Sequence, residues 1–199
     1  MPESVLNILA VYGSPRLRSV TRTVIRLMAQ ELSSRGCAAD LLDLRETVLP
    51  LYNPDTAYAA PGFAELQARI DRADVMLLGT PDYHGSISST LKNFLDHFWH
   101  EFCGKLLVPI VASHEKGLTV IDQLRTVARQ CYAWTLPYGL SFSEQDVRDG
   151  QVINESVRKR MEMMLRDTEV YGRLLAQQRR ADLAGTDPGF MARHRKKAS

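Results

Sequence analysis

The chain has 199 residues, enough to bury one substantial core and too few for a second domain of ordinary size. Its 45% hydrophobic and 24% charged composition is that of a globular protein, and no stretch approaches the roughly 20 apolar residues of a membrane helix, so a membrane-spanning protein is excluded. The formal net charge is only +2, and the three scattered cysteines, Cys37, Cys103 and Cys131, form no C-x-x-C pair, which suits neither a disulfide framework nor a zinc site.

The first residues, Met1-Pro2-Glu3-Ser4, lead directly into an apolar run with no basic segment or cleavage site, so no secretory signal is visible and a cytoplasmic location is expected. Val5 to Val11 reads as a strand buried on both faces of a parallel sheet. From Val20 to Arg35 the apolar positions fall at helical spacing, with Ser19 placed to cap and Gly36 to terminate. Ala38 to Leu44 is a second strand, followed by a long Pro-rich loop through Gly62 and a helix from about Phe63 to Ala73. Val75 to Gly79 is the third strand, 80–86 a loop, and Ile87 to Trp99 a helix. Leu106 to Ala112 is the fourth strand, 113–117 a loop, and a further helix ends near Gln130. Trp134 to Leu140 is a weaker fifth strand, because Pro137 and Gly139 sit in it, and the last helix spans about Ser156 to Gln178. Residues 1–180 therefore form one domain. The excess positive charge lies from Arg173 onward, where Arg173, Arg179, Arg180, Arg193, Arg195, Lys196 and Lys197 stand against Asp182 and Asp187, and with no interleaved aromatics for base stacking the segment 181–199 is expected to be a solvated, disordered tail without a nucleic-acid partner.

Strands alternating with helices predict a three-layer α/β sandwich, a five-stranded parallel sheet of order 2-1-3-4-5 with helices on both faces. Ligands in such sheets bind outside the carboxyl ends of the strands where the order reverses, so loops 12–19, 80–86 and 113–117 are expected to share one pocket. Loop 12–19 offers the hydroxyls of Ser14, Ser19 and Thr21, the cation Arg16 and the amides of a helix N-terminus, all of which favour a phosphate dianion. It has neither a Walker ending nor a G-x-G-x-x-G, so a monophosphate fits better than a triphosphate or a pyrophosphate. In loop 80–86 Pro81 and Gly85 allow close backbone approach, and Tyr83 and His84 provide a planar wall for a flat ring.

Together these residues resemble the NADPH-dependent FMN reductases of the flavodoxin-like superfamily, which include quinone, azo-dye and chromate reductases. Gly13-Ser14-Pro15-Arg16 with Ser19 looks like that family's phosphate loop. Thr80-Pro81-Asp82-Tyr83-His84-Gly85-Ser86-Ile87-Ser88, with Leu91-Lys92-Asn93 and Asp96, looks like its flavin-ring loop and following helix. The resemblance covers residues 5 to 140. It implies Ser14, Arg16, Ser19 and Thr21 at an FMN phosphate, Pro81, Asp82, Tyr83, His84, Gly85 and Ser86 along the isoalloxazine, and Ser113 at its far edge. Two departures stand out: Asp82 replaces a frequent glutamate, and Ser113-His114-Glu115-Lys116-Gly117 replaces a glycine-rich third loop.

In this reading FMN carries the chemistry, hydride passing from NADPH to the flavin and electrons then to a small acceptor such as a quinone, free flavin, azo compound or metal oxyanion. His84 and Lys116 are the candidate catalytic groups near the ring. His97, His100 and Glu101 fall at helical spacing but among Phe98, Trp99 and Phe102, so no metal is expected. Leu91, Phe94, Leu95, Phe98, Trp99 and Phe102 cover more of one helix than a single core face needs, which points to a homodimer contact, and the resemblance implies a homodimer or homotetramer. Two alternatives share the fold: a non-enzymatic electron carrier, and a regulatory subunit that binds FMN and acts with a protein partner.

Overall fold

A computed structural model describes residues 4–195, and in it the apolar runs become the central strands. In chain order the main elements are β1 (Asn7–Tyr12), α1 (Val20–Ser34), β2 (Ala38–Asp43), α2 (Phe63–Arg72) and β3 (Val75–Tyr83). There follow β4 (Ser86–Ile87), α3 (Ser89–Asp96), β5 (Leu106–Ala112), α4 (Leu118–Gln130), β6 (Trp134–Thr135), β7 (Leu140–Phe142), β8 (Val147–Arg148), β9 (Gln151–Val152) and α5 (Glu155–Ala184).

The sheet runs β2-β1-β3-β5-β6, with β7 also pairing β5 and β4 folding back antiparallel onto β3. The parallel pairs have continuous registers, for example Ile8 with Val75 and Leu77 with Val108. Alternation along each strand feeds two cores. Ile8, Ala10 and Tyr12 face α1 and α5. Leu9 and Val11 face the opposite layer, with Leu66 of α2, Leu91 of α3 and Leu124 of α4. Val75, Met76, Leu77 and Leu78 of β3 are fully buried, each worth about 1.5–3 kcal/mol relative to exposure.

Several expectations are corrected. The sheet has seven strands rather than five, because the fifth is split into β6 and β7 around Leu136–Gly139 and β4 adds a short antiparallel strand beside β3. The break lies opposite Val108–Pro109, where β5 has no proline N–H to offer. The third strand continues past Gly79 to Tyr83, since Thr80 and Pro81 pair with Val111 and Ala112, so half of the expected loop 80–86 is strand. The antiparallel pair Val147–Arg148 with Gln151–Val152 had no counterpart in the sequence reading.

The helix expected to reach Trp99 stops at Asp96, and Leu91, Phe94, Leu95, Phe98 and Phe102 are all buried inside this chain, leaving only Trp99 of that set exposed. They fill the core between α2, α3 and β5 and are not available for a dimer contact. The tail also differs from expectation over 181–195. Here α5 continues to Ala184, and a 3-10 turn at Phe190–His194 buries Met191 against Cys103 and Gly104. Lys196 and Lys197 lie outside the described residues. Among those residues no helix is long and apolar enough to cross a membrane.

Candidate functional site

Ser14, Ser19 and Thr21 from the end of β1, Pro81, Asp82 and Tyr83 from the end of β3, and Ser113 from the end of β5 line one cleft, joined by Arg16, His114, Ser143 and Glu144. The shape of its floor is set by close approach of backbones. Gly13 N–H donates to the Gly79 carbonyl at 2.8 Å, and a Cβ on Gly13 would lie 2.6 Å from that oxygen and 2.8 Å from Leu91 Cβ. Ser88 ties the first two loops together. Its hydroxyl donates to the Gly13 carbonyl and accepts the Leu91 N–H at 3.2 Å, while its own N–H donates to Thr80 Oγ1 at 2.9 Å. All three residues joined here, Ser88, Thr80 and Leu91, are buried.

The loop from Gly13 to Ser19 leads into α1, whose first turn it caps through Ser19 Oγ, which accepts the Arg22 N–H at 3.4 Å. Arg22 holds this loop from beneath. It donates twice to Asp43 at 3.0 Å and to the carbonyls of Arg16 and Leu17 at 2.8 Å. Ser14 is buried, with Oγ accepting the Arg16 N–H at 3.4 Å. Thr21 Oγ1 is buried and has no hydrogen-bond partner among the described residues, an arrangement that costs about 1–3 kcal/mol unless a ligand or solvent satisfies it. Unpaired N–H groups of a helix N-terminus, one orphaned hydroxyl and two further serine hydroxyls make a polar, cationic recess suited to an oxyanion. Arg16 crosses the mouth of the cleft to Glu144 at 2.7 Å, an exposed pair of little intrinsic strength that a phosphate would readily displace.

The second wall is a tight hairpin. Tyr83 pairs Ser86 across the two-residue turn His84-Gly85, with φ of 56° and 76°, the left-handed geometry of a type I′ turn that Gly85 supplies without strain. Asp82 fixes the turn and links it to the third loop, accepting Gly85 N–H at 2.8 Å and Ser113 Oγ–H at 2.8 Å. Gln123 of α4 clamps the other side, accepting from Ser86 Oγ and Ile87 N–H at 3.0 and 3.2 Å and donating to the Gly85 carbonyl at 3.2 Å. Ser113 N–H donates to Phe142 at 2.8 Å, which places Ser143 and Glu144 at the rim. Burial alone would raise the Asp146 carboxyl, but bonds from the Ser143 N–H and hydroxyl and from Asn154 outweigh it and hold the group below the usual carboxylate range.

The structure therefore gathers eight of the candidate residues, Ser14, Arg16, Ser19, Thr21, Pro81, Asp82, Tyr83 and Ser113, around one cleft. His84, Gly85 and Ser86 form the exposed hairpin tip beside it, and Lys116 lines a neighbouring groove. Arg22, Ser88 and Gln123 were not singled out as site residues. Of these only Ser88 carries a local signal, a serine opening a helix whose Oγ caps it. His97 is buried with Nδ1 2.7 Å from the Asn93 carbonyl, His100 stacks on Trp99, and Glu101 accepts from Gln67 at 2.6 Å. Among the described residues no group of three His, Cys, Asp or Glu is placed to hold a metal.

The family model described as NADPH-dependent FMN reductase matches residues 6–147. A NADPH azoreductase of Bacillus sp. (strain OY1-2) is 25% identical over 170 residues, covering 83% of this chain and 92% of the relative. An FMN-dependent NADPH-azoreductase of Staphylococcus aureus (strain USA300) is 26% identical over 147 residues, 69% of this chain and 77% of the relative. The fold is similar to that of an NADH:FMN oxidoreductase, EMOB, in its apo form (TM-score 0.70, 17% identity, 85% of this chain and 89% of that one). It is also similar to FerB, a flavoenzyme NAD(P)H:(acceptor) oxidoreductase from Paracoccus denitrificans (TM-score 0.68, 19% identity, 87% and 98%).

Proposed function

The chain belongs to the NADPH-dependent FMN reductase family, and from that premise we propose that it is an FMN-dependent NAD(P)H oxidoreductase that reduces a small acceptor, a quinone, free flavin, azo compound or metal oxyanion. The observation that carries the reading is the buried, unpartnered Thr21 Oγ1 beside buried Ser14 at the N-terminus of α1, in a cleft closed on its other side by the Pro81–Tyr83 strand end. These residues fit a phosphate with a flat ring attached. When bound, FMN supplies a two-electron carrier between a nicotinamide and the acceptor.

The chain's own residues hold and orient it. Ser14, Ser19 and Thr21 hydroxyls and the first-turn N–H groups of α1 take the phosphate, and Arg16 exchanges Glu144 for it. Asp82 has both oxygens engaged, by Gly85 and Ser113, so it serves as a brace that keeps the ring wall and the third loop in register. His84, held at the hairpin tip in a left-handed conformation, is the candidate to place a proton or a dipole at the ring edge, with Lys116 of the third loop, which faces the adjoining groove, as the second candidate. Self-association as a homodimer or homotetramer is supported by exposed Leu17, Val48 and Leu51 on the outer side of the phosphate loop, and sedimentation giving a monomer at micromolar concentration would remove it.

The test is an absorbance spectrum after FMN loading and desalting, followed by anaerobic titration with NADPH. Retention of the band near about 450 nm and its bleaching by NADPH are expected of a cofactor that does the chemistry. Retention without bleaching would instead indicate a carrier or a regulatory subunit, and loss of flavin on desalting would overturn the assignment of the cleft.

A further inference from the structure

Beyond the third loop lies a second, larger groove of about 1300 Å³ including its mouth, floored by the segment between β6 and β7 and walled by α4 and the first turns of α5. The two depressions adjoin, with Ser113, His114 and Ser143 lining both. The groove is cationic in a specific way. Arg160 stands over the Tyr138 ring at 5.3 Å and makes no ion pair among the described residues. Arg125 donates to the Pro137 carbonyl, a neutral partner, and its contact with the exposed Asp122 is a long 3.4 Å. Lys116 adds a third positive charge at the rim, also without an ion pair among the described residues.

Of the other carboxylates near the groove, Asp122 reaches only Arg125, across that long and exposed contact, and the rest are occupied elsewhere. Asp146 accepts from Ser143 and Asn154, and Asp167 takes the Tyr138 hydroxyl at 2.7 Å and Arg166 at 2.6 Å. The Asp167 bond fixes the Tyr138 ring, and the exposed Arg160 guanidinium lies over that ring at the edge of the groove, so a charge is presented beside an aromatic face. Arg160, without an ion pair, and Arg125, with only a long and exposed one, leave forked donors for a phosphate dianion. A dinucleotide whose nicotinamide lies in the cleft must send its adenosine half out over one rim, and this groove is the depression that adjoins it.

We propose that this groove binds the 2′-phosphoadenosine half of NADPH, with Arg160 and Arg125 as the residues that distinguish NADPH from NADH. The proposal rests on the reading that the cleft takes FMN and a nicotinamide. The 2′-phosphate adds close to two negative charges that NADH lacks. Loss of one charge-assisted contact to it is expected to raise KM for NADPH about tenfold or more.

The experiment compares the wild-type FMN-loaded protein with Arg160→Glu, Arg160→Lys and Arg125→Ala. Calorimetric binding of adenosine 2′,5′-bisphosphate, with 5′-AMP as control, is measured beside KM and kcat for NADPH and NADH. Expected are binding of the bisphosphate but not of 5′-AMP, loss of that binding in Arg160→Glu, partial recovery in Arg160→Lys, and a KM increase confined to NADPH with kcat unchanged. Equal changes for NADPH and NADH, or bisphosphate binding untouched by Arg160→Glu while NADPH still bleaches the flavin, would overturn the groove assignment and leave the reductase reading standing. If no flavin is retained, the reductase reading falls, and the Arg160-dependence of bisphosphate binding still decides the groove.

Discussion

At the amino ends of β3 and β5 the Lys105 ammonium is fully buried and donates to the carbonyls of Ile70 at 2.8 Å, Asp71 at 3.1 Å and Ala73, while the adjacent buried Asp74 accepts from Asn7 N–H at 3.0 Å and from Arg180 at 3.1 Å. At the carboxyl ends of β1 and β3, 13–21 and 80–88 also bury polar groups, but the set is divided. Ser88 and Thr80 turn inward and are partnered, whereas Thr21 Oγ1 has no partner among the described residues. Both ends face the same cost of removing polar atoms from water. At the amino end partnered burial fixes geometry; at the carboxyl end Thr21, unlike the unpartnered His97 Nε2 and Thr168 Oγ1 elsewhere, lines the cleft, so its free hydroxyl is available to a ligand.

The largest expected effect tests the amino end. Burial, reinforced by Arg179, pushes the Lys105 ammonium from 10.5 down to about 7, against the opposing carboxylates Asp71, Asp74 and Glu101. Between these two values the unfolded chain keeps a proton that the native protein has released. Stability therefore rises with pH through that interval and is lost again as pH falls back toward 7, with a slope of up to about 1.4 kcal/mol per pH unit. Urea unfolding at about pH 7.5 and about pH 9.5 should show this gain in the wild type and not in Lys105→Met. An equal response in both proteins would mean that the three carbonyls keep the ammonium charged throughout.

Next in size is the contrast within the carboxyl end. Ser88→Ala strands the Gly13 carbonyl and the Leu91 N–H in the core and is expected to cost about 2 kcal/mol, lowering Tm by about 4–8 °C and releasing FMN. Thr21→Val removes a hydroxyl that has no partner among the described residues, so Tm should hold or rise while FMN affinity falls about tenfold. A Thr21→Val protein that loses stability and keeps its flavin affinity would break the distinction between partnered and unpartnered burial.

The same contrast explains what the sequence made legible. The runs Leu6–Val11, Val75–Leu78 and Leu106–Val111 announce strands because both faces of each are buried, and Ser19 announces α1 because its cap is local. The hydroxyl and glycine pattern of 13–21 is equally local, and so was visible. Features settled by distant partners were not. β3 runs on through Pro81 only because β5 lies alongside to Ala112, and Arg22 and Gln123 become positioning residues through Asp43 and the hairpin turn, contacts with no trace in their neighbours in sequence. The charged segment 181–199 reads as solvated by composition, yet Met191 docks at Cys103 and Phe190 packs on Tyr132 and Trp134. Two apolar anchors are below what composition can register.

The smallest expected effect concerns Gln123, which tests whether the hairpin tip belongs with the rigid or the adaptable part of the cleft. Its three bonds reach groups that are partly exposed and can be taken over by water, so together they contribute about 0.5–1 kcal/mol. The turn itself is set by the left-handed His84 and Gly85 and by Asp82, which Gln123→Ala leaves intact. The variant should therefore keep its flavin and lose only about 1–3 °C of Tm. Hydrogen exchange at the Ile87 amide should accelerate, because local opening of β4 no longer breaks a bond to α4. The consequence for turnover is expected in KM for the acceptor, since the wall that Tyr83 and His84 present to the ring edge becomes looser while the phosphate recess, held by Arg22 and Ser88 on the other side of the cleft, does not move. A loss of FMN in Gln123→Ala as large as in Ser88→Ala would place the hairpin in the rigid cradle, and the two halves of the carboxyl end would then act as one unit.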